Sequence, residues 1–267
     1  MRTRGNSSQL PAVLTIAGSD PSGGAGIQAD LKTFAACGVF GLSALTAVTV
    51  QNTVGVREVW PIPPRLVAAQ IDAVVEDLGA AATKIGMLAT AGVVDAVASA
   101  IGRHALQNVV LDTVLLSTSA APLLDADGVE RLREALLPLA TVVTANVPEA
   151  AAITGVAIAS VADARRAAAA LRAMGARAAI VKGGHLDGPP VDVLDDGASV
   201  IELAGERIES SNTHGTGCTF ASAIAARLAL GDSLETAARS AKAYVTEAIR
   251  HAPGLGRGRG PLAHFVS

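Results

Sequence analysis

Polar residues at the ends of several predicted strands form a set that could carry out phosphoryl transfer. Asp112 ends the apolar run NVVLD, and Lys182 ends AAIVK. Asn146 and Glu149 follow the run TVVT. Carboxylates supply oxygen ligands for a magnesium ion, and a lysine neutralises phosphate charge, as magnesium-assisted phosphoryl transfer requires. Each residue alone could cap a helix or face water, but their recurrence at strand ends favours a site.

A glycine turn precedes a predicted helix in the stretch THGTGCTFASAIAA, residues 213–226. The free N–H groups and the positive dipole end of such a helix can bind an anion, so Gly215, Thr216 and Gly217 are candidate phosphate ligands. A tight turn that serves only helix packing is the usual explanation for an isolated GTG. The polar residues at the other strand ends favour the anion site instead.

A cysteine, Cys218, lies at the junction of this turn and the helix. A helix N-terminus lowers the pKa of a thiol, so we expect a usable fraction of thiolate near neutral pH, although bound phosphates would oppose the shift. The other cysteine, Cys37, precedes Gly38 at a predicted helix end and is interpreted as a structural thiol. Neither cysteine has the spacing of a metal site.

A second glycine-rich loop, GSDPSGGAGIQAD (Gly18–Asp30), follows the first predicted strand. Within it, Gly24–Ala29 matches a dinucleotide-binding pattern, but no acidic residue occurs from Leu31 to Arg57 to hold a ribose hydroxyl. We therefore interpret the loop, with Asp20 and Asp30, as the wall of a pocket. The absence of a GxxxxGK[ST] motif excludes a Walker-type phosphate site.

Alternating strands and helices are predicted to bring these residues to one edge of a sheet. Strands are expected at Val13–Ala17 and Ala44–Asn52 with a helix at Ile27–Cys37 between them, and a later helix at Val161–Met174 precedes a hairpin within Asp192–Ala204. The fold class is α/β: a sandwich with a central, mostly parallel sheet and helices on both faces, in a single domain over residues 1–267. Ligands of such sheets bind beyond the carboxyl ends of the strands.

Composition excludes several classes of protein. Half of the 267 residues are apolar and only 2% are aromatic, which argues against a base-stacking nucleic-acid module. The longest nearly uninterrupted apolar run, Gly38–Val50, is too short for a membrane span, and the polar start MRTRGNSSQ lacks the apolar core of a signal peptide. We expect a cytoplasmic protein that binds neither nucleic acid nor membrane.

Basic residues cluster at two places in a chain whose net charge is −3. Arg2 and Arg4 lie near the start, and Arg257 and Arg259 lie in a glycine-rich tail. We interpret both clusters as solvated, with residues 1–10 and about 254–260 flexible.

The motifs together resemble those of a known family, the hydroxymethylpyrimidine/phosphomethylpyrimidine kinases of thiamine biosynthesis, within the ribokinase-like superfamily. The resemblance covers nearly the whole chain, through the blocks LTIAGSDPSGGAGIQADLKTF, AVTVQNTVGV, TKIGMLA, NVVLDTV, NVPEA, VKGGH and NTHGTGCTFASAIAA. It implies a ribokinase-like three-layer sandwich, usually a homodimer. The implied reaction phosphorylates 4-amino-5-hydroxymethyl-2-methylpyrimidine and then its monophosphate with ATP and Mg²⁺; the need for a monovalent cation stays open.

The resemblance implies a role for four residues in binding the pyrimidine. Gln51 in VQNT matches the family's pyrimidine-binding glutamine, and Asp30 in GIQAD matches its acid. Gly18 and Met87 would complete the pocket walls. Gln51 suits the task because an amide offers a donor and an acceptor to the edge of an aminopyrimidine.

The resemblance also implies roles at the phosphates. Asn146 and Glu149 match the NxxE motif that helps to place magnesium and phosphate, and Asp112 matches an acid linked to the metal. Lys182 resembles a lysine near the nucleotide phosphates. Cys218 stands where most ribokinase-like sugar kinases have an aspartate that acts as the base.

Two departures from the family pattern and three alternative functions stay open. Thr118 and Ala120 stand in a loop that often carries a lysine and a glycine, and TAN replaces TPN before Glu149. A pyridoxal kinase of the same superfamily is the nearest alternative, although Gln51 favours the pyrimidine. A non-catalytic sensor of a vitamin precursor and a nicotinamide-dependent oxidoreductase are less consistent with the retained polar residues.

Overall fold

Nine strands form one mixed sheet in residues 10–117 and 121–266, the part of the chain that the structure, a computed structural model, describes. In chain order they are β1 (Ala12–Ser19), β2 (Phe40–Asn52), β3 (Gly55–Pro61), β4 (Ala82–Ile85), β5 (Val109–Asp112), β6 (Val142–Asn146), β7 (Ala179–Lys182), β8 (Asp192–Asp195) and β9 (Val200–Leu203). The order across the sheet is β3-β2-β1-β4-β5-β6-β7-β8-β9. Strands β1, β2 and β4 to β7 are mutually parallel, whereas β3 and β8 run antiparallel to their neighbours. The carboxyl ends of the parallel strands therefore share one edge.

Eight α-helices in the described ranges cover the two faces of this sheet. They are α1 (Gly26–Ala36), α2 (Pro64–Leu78), α3 (Ala91–His104), α4 (Ala126–Arg131), α5 (Val147–Thr154), α6 (Val161–Ala173), α7 (Thr216–Ala229) and α8 (Leu234–Arg250). After α4 the chain continues through a π turn at Leu132–Leu136 and a 3-10 turn at Leu137–Leu139. A further 3-10 turn, Gly183–His185, follows β7.

The core is aliphatic and lies in two layers, one on each face of the sheet. Alternate residues of β1 point to opposite layers: Leu14 packs in the layer with α2, α3, α5 and α6, and Val13 packs in the layer with α1, α7 and α8. Burying one such side chain contributes about 1.5–3 kcal/mol. Helix α7 is buried over most of its length because its residues are mainly small (Ala, Gly, Ser, Thr and Cys), so its backbone can lie close to the sheet. That approach fixes its N-terminus near the shared strand edge.

The structure confirms the predicted α/β class and its mostly parallel sheet. Helix α6 ends one residue before the predicted Met174, and β8 and β9 form the predicted hairpin. Strand β3, paired with β2 through the turn after Asn52, was not predicted. Within the segment 254–260, predicted to be flexible, Gly258 and Arg259 donate to Thr53, and the Gly260 carbonyl accepts from the His214 N–H.

Two predictions fall partly or wholly outside the described residues. The predicted flexible start lies there except for Leu10, and so do Thr118 and Ala120 of the altered loop. Within the described ranges, no helix has the length and the apolar character that crossing a membrane would require.

Candidate active site

Three parallel strands deliver the predicted phosphate-site residues to one place. Asp112, Asn146 and Lys182 are the last residues of β5, β6 and β7, and the N-terminus of α7 lies directly against them. A Cβ atom built on Gly217 would stand 3.2 Å from Lys182 Nζ and 3.6 Å from Asp112 Oδ2. The glycine turn and the charged strand ends, separated by up to about a hundred residues of sequence, therefore form one cluster.

The buried Asp112 and the half-buried Lys182 form an ion pair at the centre of this cluster. Lys182 Nζ donates to Asp112 Oδ1 over 3.0 Å, and the Thr144 hydroxyl donates to the same oxygen over 3.0 Å. Burial opposes ionisation of Asp112, but Lys182, Lys84 and the Thr144 hydrogen bond outweigh it and lower its pKa. Burial likewise opposes the charge on Lys182, but Asp112 and Glu149 raise its pKa. Both groups are thus charged at neutral pH.

A capping box holds Glu149 beside this pair. The Asn146 side chain accepts from the Glu149 N–H over 2.9 Å, and Glu149 Oε2 accepts from the Asn146 N–H over 2.9 Å. The Thr113 hydroxyl adds a 3.3 Å bond to Oε2. Burial raises the pKa of Glu149 to about 6; Lys182 opposes the shift and Asp112 adds to it. Glu149 is therefore ionised at neutral pH, and its charge lowers the stability of the folded protein.

The turn before α7 lets its backbone lie close to the backbone of the glycine-rich loop after β1. Gly215 has φ 81°, and a Cβ at this position would overlap the carbonyl oxygen of Gly24. The Thr216 hydroxyl donates to the Thr213 carbonyl over 2.7 Å, and intrahelical bonding begins with Thr219 N–H to Gly215 O at 2.9 Å. The Thr216 N–H donates to the Thr213 carbonyl over 3.4 Å, whereas the N–H groups of Gly217 and Cys218 precede the first intrahelical bond and could donate to an anion at this end of α7.

The thiol of Cys218 differs from the sequence expectation. Cys218 keeps part of its surface exposed, but burial raises the pKa of its thiol to about 11; Lys84 opposes this, and Asp30 and Asp112 add to it. The prediction of a lowered thiol pKa is therefore wrong for the free protein. Burial and two nearby carboxylates outweigh the helix N-terminus.

Asp30, predicted to bind the substrate, lies behind Cys218 and not on the pocket surface. Its carboxylate is fully buried and forms a 2.9 Å ion pair with Lys84, which is itself fully buried. The hydroxyls of Thr15 and Ser222 donate to Asp30 over 2.6 and 2.7 Å. The structure thus gives Asp30 a supporting position, because every carboxylate oxygen already has partners within the core. Burial opposes the charge on Lys84, but Asp30, Cys218 and Asp112 raise its pKa.

A hydrogen-bond network positions Gln51, the predicted pyrimidine ligand. His214 Nε2 lies 2.8 Å from Asp20 Oδ2 and 3.2 Å from the amide nitrogen of Gln51. Burial opposes ionisation of Asp20, but hydrogen bonds from His214 and Ser22 lower its pKa, so Nε2–H of His214 donates to a carboxylate. That tautomer favours the Gln51 amide with its oxygen toward His214 and its nitrogen toward Thr49 Oγ1.

A cavity of about 740 Å³ opens beside this network and is lined by Gln51, Thr213 and His214, among others. Gly18 and Met87, the other predicted wall residues, pack on each other: a Cβ on Gly18 would stand 2.9 Å from Met87 Sδ. Met87, Ala47 and Ala89 form a small buried apolar cluster. Neither Gly18 nor Met87 lines the cavity of about 740 Å³, so the structure places this apolar pair in the interior and Gln51 at the cavity.

The carboxylates of this cluster suit a metal ion that is bound mainly by water and by substrate phosphates. Among the described residues, no group of three or more His, Cys, Asp and Glu side chains is arranged to hold a metal ion by itself. Magnesium is usually bound through one or two carboxylates, with water and substrate phosphates completing its shell. Asp112 and Glu149 fit that pattern. Magnesium would neutralise phosphate charge at this position.

The chain matches the profile of a family described as phosphomethylpyrimidine kinase over residues 20–263. The chain belongs to the phosphomethylpyrimidine kinase family. It is 50% identical over 254 residues to the hydroxymethylpyrimidine/phosphomethylpyrimidine kinase of Streptomyces coelicolor, covering 95% of this chain and 94% of that protein. It is 49% identical over 257 residues to a thiamine biosynthesis bifunctional protein of Geobacter sulfurreducens, covering 96% of this chain and about half (52%) of that protein.

A solved structure of a related kinase shares the fold. The pyridoxal kinase of Staphylococcus aureus, in complex with AMP-PCP and pyridoxal, superposes with a TM-score of 0.89 at 36% identity, covering 97% of this chain and 94% of that one. This chain is therefore a ribokinase-like phosphotransferase. A nicotinamide-dependent oxidoreductase is excluded by this family membership.

The sequence analysis missed two polar residues, Lys84 and His214, that contact residues of the phosphomethylpyrimidine kinase site. Lys84 lies inside the apolar run TKIGM, and its role depends on Asp30, 54 residues away. His214, the second residue of the stretch THGTGCTFASAIAA, was given no role by the sequence analysis, yet it contacts Asp20 and Gln51. A lysine within a buried strand was the one sequence signal that could have found the ion pair, because such a charge needs a partner.

Proposed function

We propose that this kinase phosphorylates the hydroxymethyl group of 4-amino-5-hydroxymethyl-2-methylpyrimidine with MgATP, and then the resulting monophosphate. One observation carries the proposal. The Asp112–Lys182 pair, Glu149 and the glycine turn of α7 lie together at the carboxyl ends of the parallel strands. Gln51, near the end of β2, lines a cavity. The 50% identity to a Streptomyces coelicolor kinase named for both steps supports it.

The phosphates of ATP would lie against the N-terminus of α7. The N–H groups there, with the nearby Lys182 ammonium, offer converging donors to a polyanion. Asn146 uses its side-chain oxygen in the helix cap, so its amide nitrogen is the group suited to a phosphate oxygen. Asp112 and Glu149 would hold magnesium, which supplies charge neutralisation when bound.

Cys218 would hold the acceptor hydroxyl and take its proton. With a thiol pKa of about 11, only ~10⁻⁴ of the thiol is ionised at pH 7 in the free protein. A loose phosphoryl-transfer transition state asks little of its base, so positioning of the hydroxyl contributes more than thiolate basicity. The charge of nearby Lys84 favours the thiolate, which is the form that can take the proton from the hydroxyl and become the neutral thiol.

Gln51 would read the pyrimidine edge. The contact with His214, itself held by Asp20, fixes which end of the Gln51 amide accepts and which donates. An oriented amide discriminates between ring edges with different donor and acceptor orders, because a mismatched group would be left unpaired. This supports an aminopyrimidine as the acceptor.

Pyridoxal is a second candidate acceptor, favoured by the TM-score of 0.89 with the Staphylococcus aureus pyridoxal kinase. A coupled assay that measures kcat/KM for the hydroxymethylpyrimidine and for pyridoxal, at saturating MgATP, separates the two. We expect at least a tenfold preference for the pyrimidine; an equal or reversed preference would assign Gln51 a different role. Tight binding without turnover would favour the sensor.

A homodimer is a further part of the proposal, as is a cytoplasmic location. The β2–β3 hairpin exposes an apolar row: Trp60 is 64% exposed and pairs with the exposed Val48, and Val50 is exposed beside it. A second copy of the chain is the proposed cover, because a row of this kind at a sheet edge invites self-association. Sedimentation should give twice the monomer mass, and Trp60→Glu should give the monomer.

A further inference from the structure

The segment GRGRG, residues 256–260, lies along one side of the cavity and is held there by hydrogen bonds of its backbone. The Arg259 N–H donates to the Thr53 carbonyl over 2.9 Å, and the Gly258 N–H donates to the Thr53 hydroxyl over 3.3 Å. At its end, the Gly260 carbonyl accepts from the His214 N–H over 3.1 Å. The segment is therefore fixed between the β2–β3 turn and the approach to α7.

Glycine and arginine alternate here for a steric reason. A Cβ atom on Gly256 or Gly258 would overlap Thr53, so only glycine allows the backbone to lie this close to the turn. The residues between them, Arg257 and Arg259, line the cavity of about 740 Å³. The alternation thus places Arg257 and Arg259 at the cavity, and both residues are exposed, in keeping with the predicted solvated cluster.

The cavity offers these cations no carboxylate partner. Its lining includes the hydroxyl residues Thr53, Ser210 and Ser211, and none of its described lining residues is Asp or Glu. In residues 10–117 and 121–266, neither Arg257 nor Arg259 forms an ion pair with a carboxylate. The cavity is therefore positively charged and rich in donors, which suits an anion.

The positive charge continues toward the phosphate cluster. Burial lowers the pKa of His185, and the charges of Lys182, Arg259 and Arg207 lower it further, so Arg259 and Lys182 act on the same imidazole. The cavity is also lined by Gln51 and His214 of the acceptor site. Arg259 at the cavity and Lys182 of the phosphate cluster thus lie within electrostatic reach of one side chain, His185.

We propose that Arg257 and Arg259 form a phosphate subsite of this cavity, which binds a phosphate group carried by one of the kinase's own ligands. Guanidinium groups hold phosphate oxygens through paired, charge-assisted hydrogen bonds. The inference rests on the proposed function, which supplies two sources of phosphate: the phosphorylated pyrimidine and ATP.

The test compares the double variant Arg257→Ala/Arg259→Ala with Arg57→Ala/Arg65→Ala, which removes the same charge from exposed arginines outside the cavity lining. Steady-state kinetics would give the KM for the hydroxymethylpyrimidine, for its monophosphate and for MgATP. Calorimetry with inorganic pyrophosphate, which needs no turnover, would measure anion binding directly. Pyrophosphate binding thus tests the subsite even where the pyrimidine is not a substrate, so failure of the proposed function and failure of the subsite are distinguishable.

We expect the cavity variant to bind pyrophosphate about 10-fold more weakly than the control variant does, the scale of lost charge-assisted hydrogen bonds. A rise of about 10- to 100-fold in KM for the monophosphate alone would identify the acceptor as the source of the phosphate. A rise in KM for MgATP with both acceptors would identify the nucleotide. Unchanged pyrophosphate binding would overturn the proposed subsite. A rise in KM limited to the unphosphorylated hydroxymethylpyrimidine would also overturn it.

Discussion

Replacing Glu149 with glutamine should stabilise the free protein while removing activity. Burial raises the pKa of Glu149 from its ordinary value of 4.5 to about 6, and the side chain is only 7% exposed. A shift of that size corresponds to about 2 kcal/mol of folding free energy spent on keeping the carboxylate ionised at neutral pH. Glutamine removes the charge and can still accept from the Asn146 N–H, since either residue completes a capping box.

The sign of the pH dependence follows from the direction of the shift. Because the folded pKa lies above the unfolded one, the folded protein binds more protons between pH 4.5 and about 6, and Glu149 lowers wild-type stability as the pH rises through that window. The advantage of Glu149→Gln should therefore be absent near pH 4.5. It should reach about 2 kcal/mol above pH 7, or roughly 4–8 °C in Tm for a protein of this size.

Thermal and urea unfolding of the metal-free, nucleotide-free protein between pH 4.5 and 8 would measure this difference, beside a kinase assay. Glu235→Gln, an exposed first-turn carboxylate of α8, is the matched control and should change stability by less than about 0.5 kcal/mol. Activity of Glu149→Gln should fall by roughly 100-fold or more if Glu149 is the magnesium ligand that we propose. A Glu149→Gln variant that is less stable than the wild type at pH 7.5 would refute this account of Glu149. A stability difference that does not change with pH would also refute it.

Three further substitutions test other parts of the site. Cys218→Ala should lower kcat by roughly 100-fold in steady-state assays, the scale of a general base; an unchanged rate would remove Cys218 from catalysis. Lys84→Met should cost about 3–5 kcal/mol in urea unfolding because Asp30 is left buried and unpaired, and adding Asp30→Asn should recover much of that loss; an unaffected single variant would contradict the ion pair's role. Gln51→Ala should raise the KM for the pyrimidine at least ~10-fold with the KM for MgATP unchanged, whereas parallel rises in both would point to a general structural defect.

Much of the fold could be predicted because its strands and helices differ plainly in sequence. Apolar runs without alternation, such as NVVLD, indicate strands covered on both faces, and their parallel packing places Asp112 and Lys182 at one edge. The β2–β3 hairpin was missed because its antiparallel pairing leaves one face exposed, with Trp60 and Val48 on the outside where apolar periodicity gives no burial signal.

The electrostatics of the site could not be predicted from local sequence. The helix N-terminus alone favours a low thiol pKa at Cys218, but the opposing effects come from burial and from Asp30 and Asp112, which only the tertiary fold brings near. The course of the GRGRG segment is a similar case. Its composition is typical of a flexible tail, and only the contact with Thr53 reveals why glycine is needed there.

The most direct test of the proposed reaction is mass spectrometry of the products after incubation with MgATP and, in parallel, the hydroxymethylpyrimidine or pyridoxal. The account predicts the pyrimidine monophosphate first and its diphosphate later. Phosphate found only on pyridoxal would contradict the assignment of Gln51 and the pyrimidine as acceptor, and no phosphorylated product from either compound would contradict the proposed reaction itself.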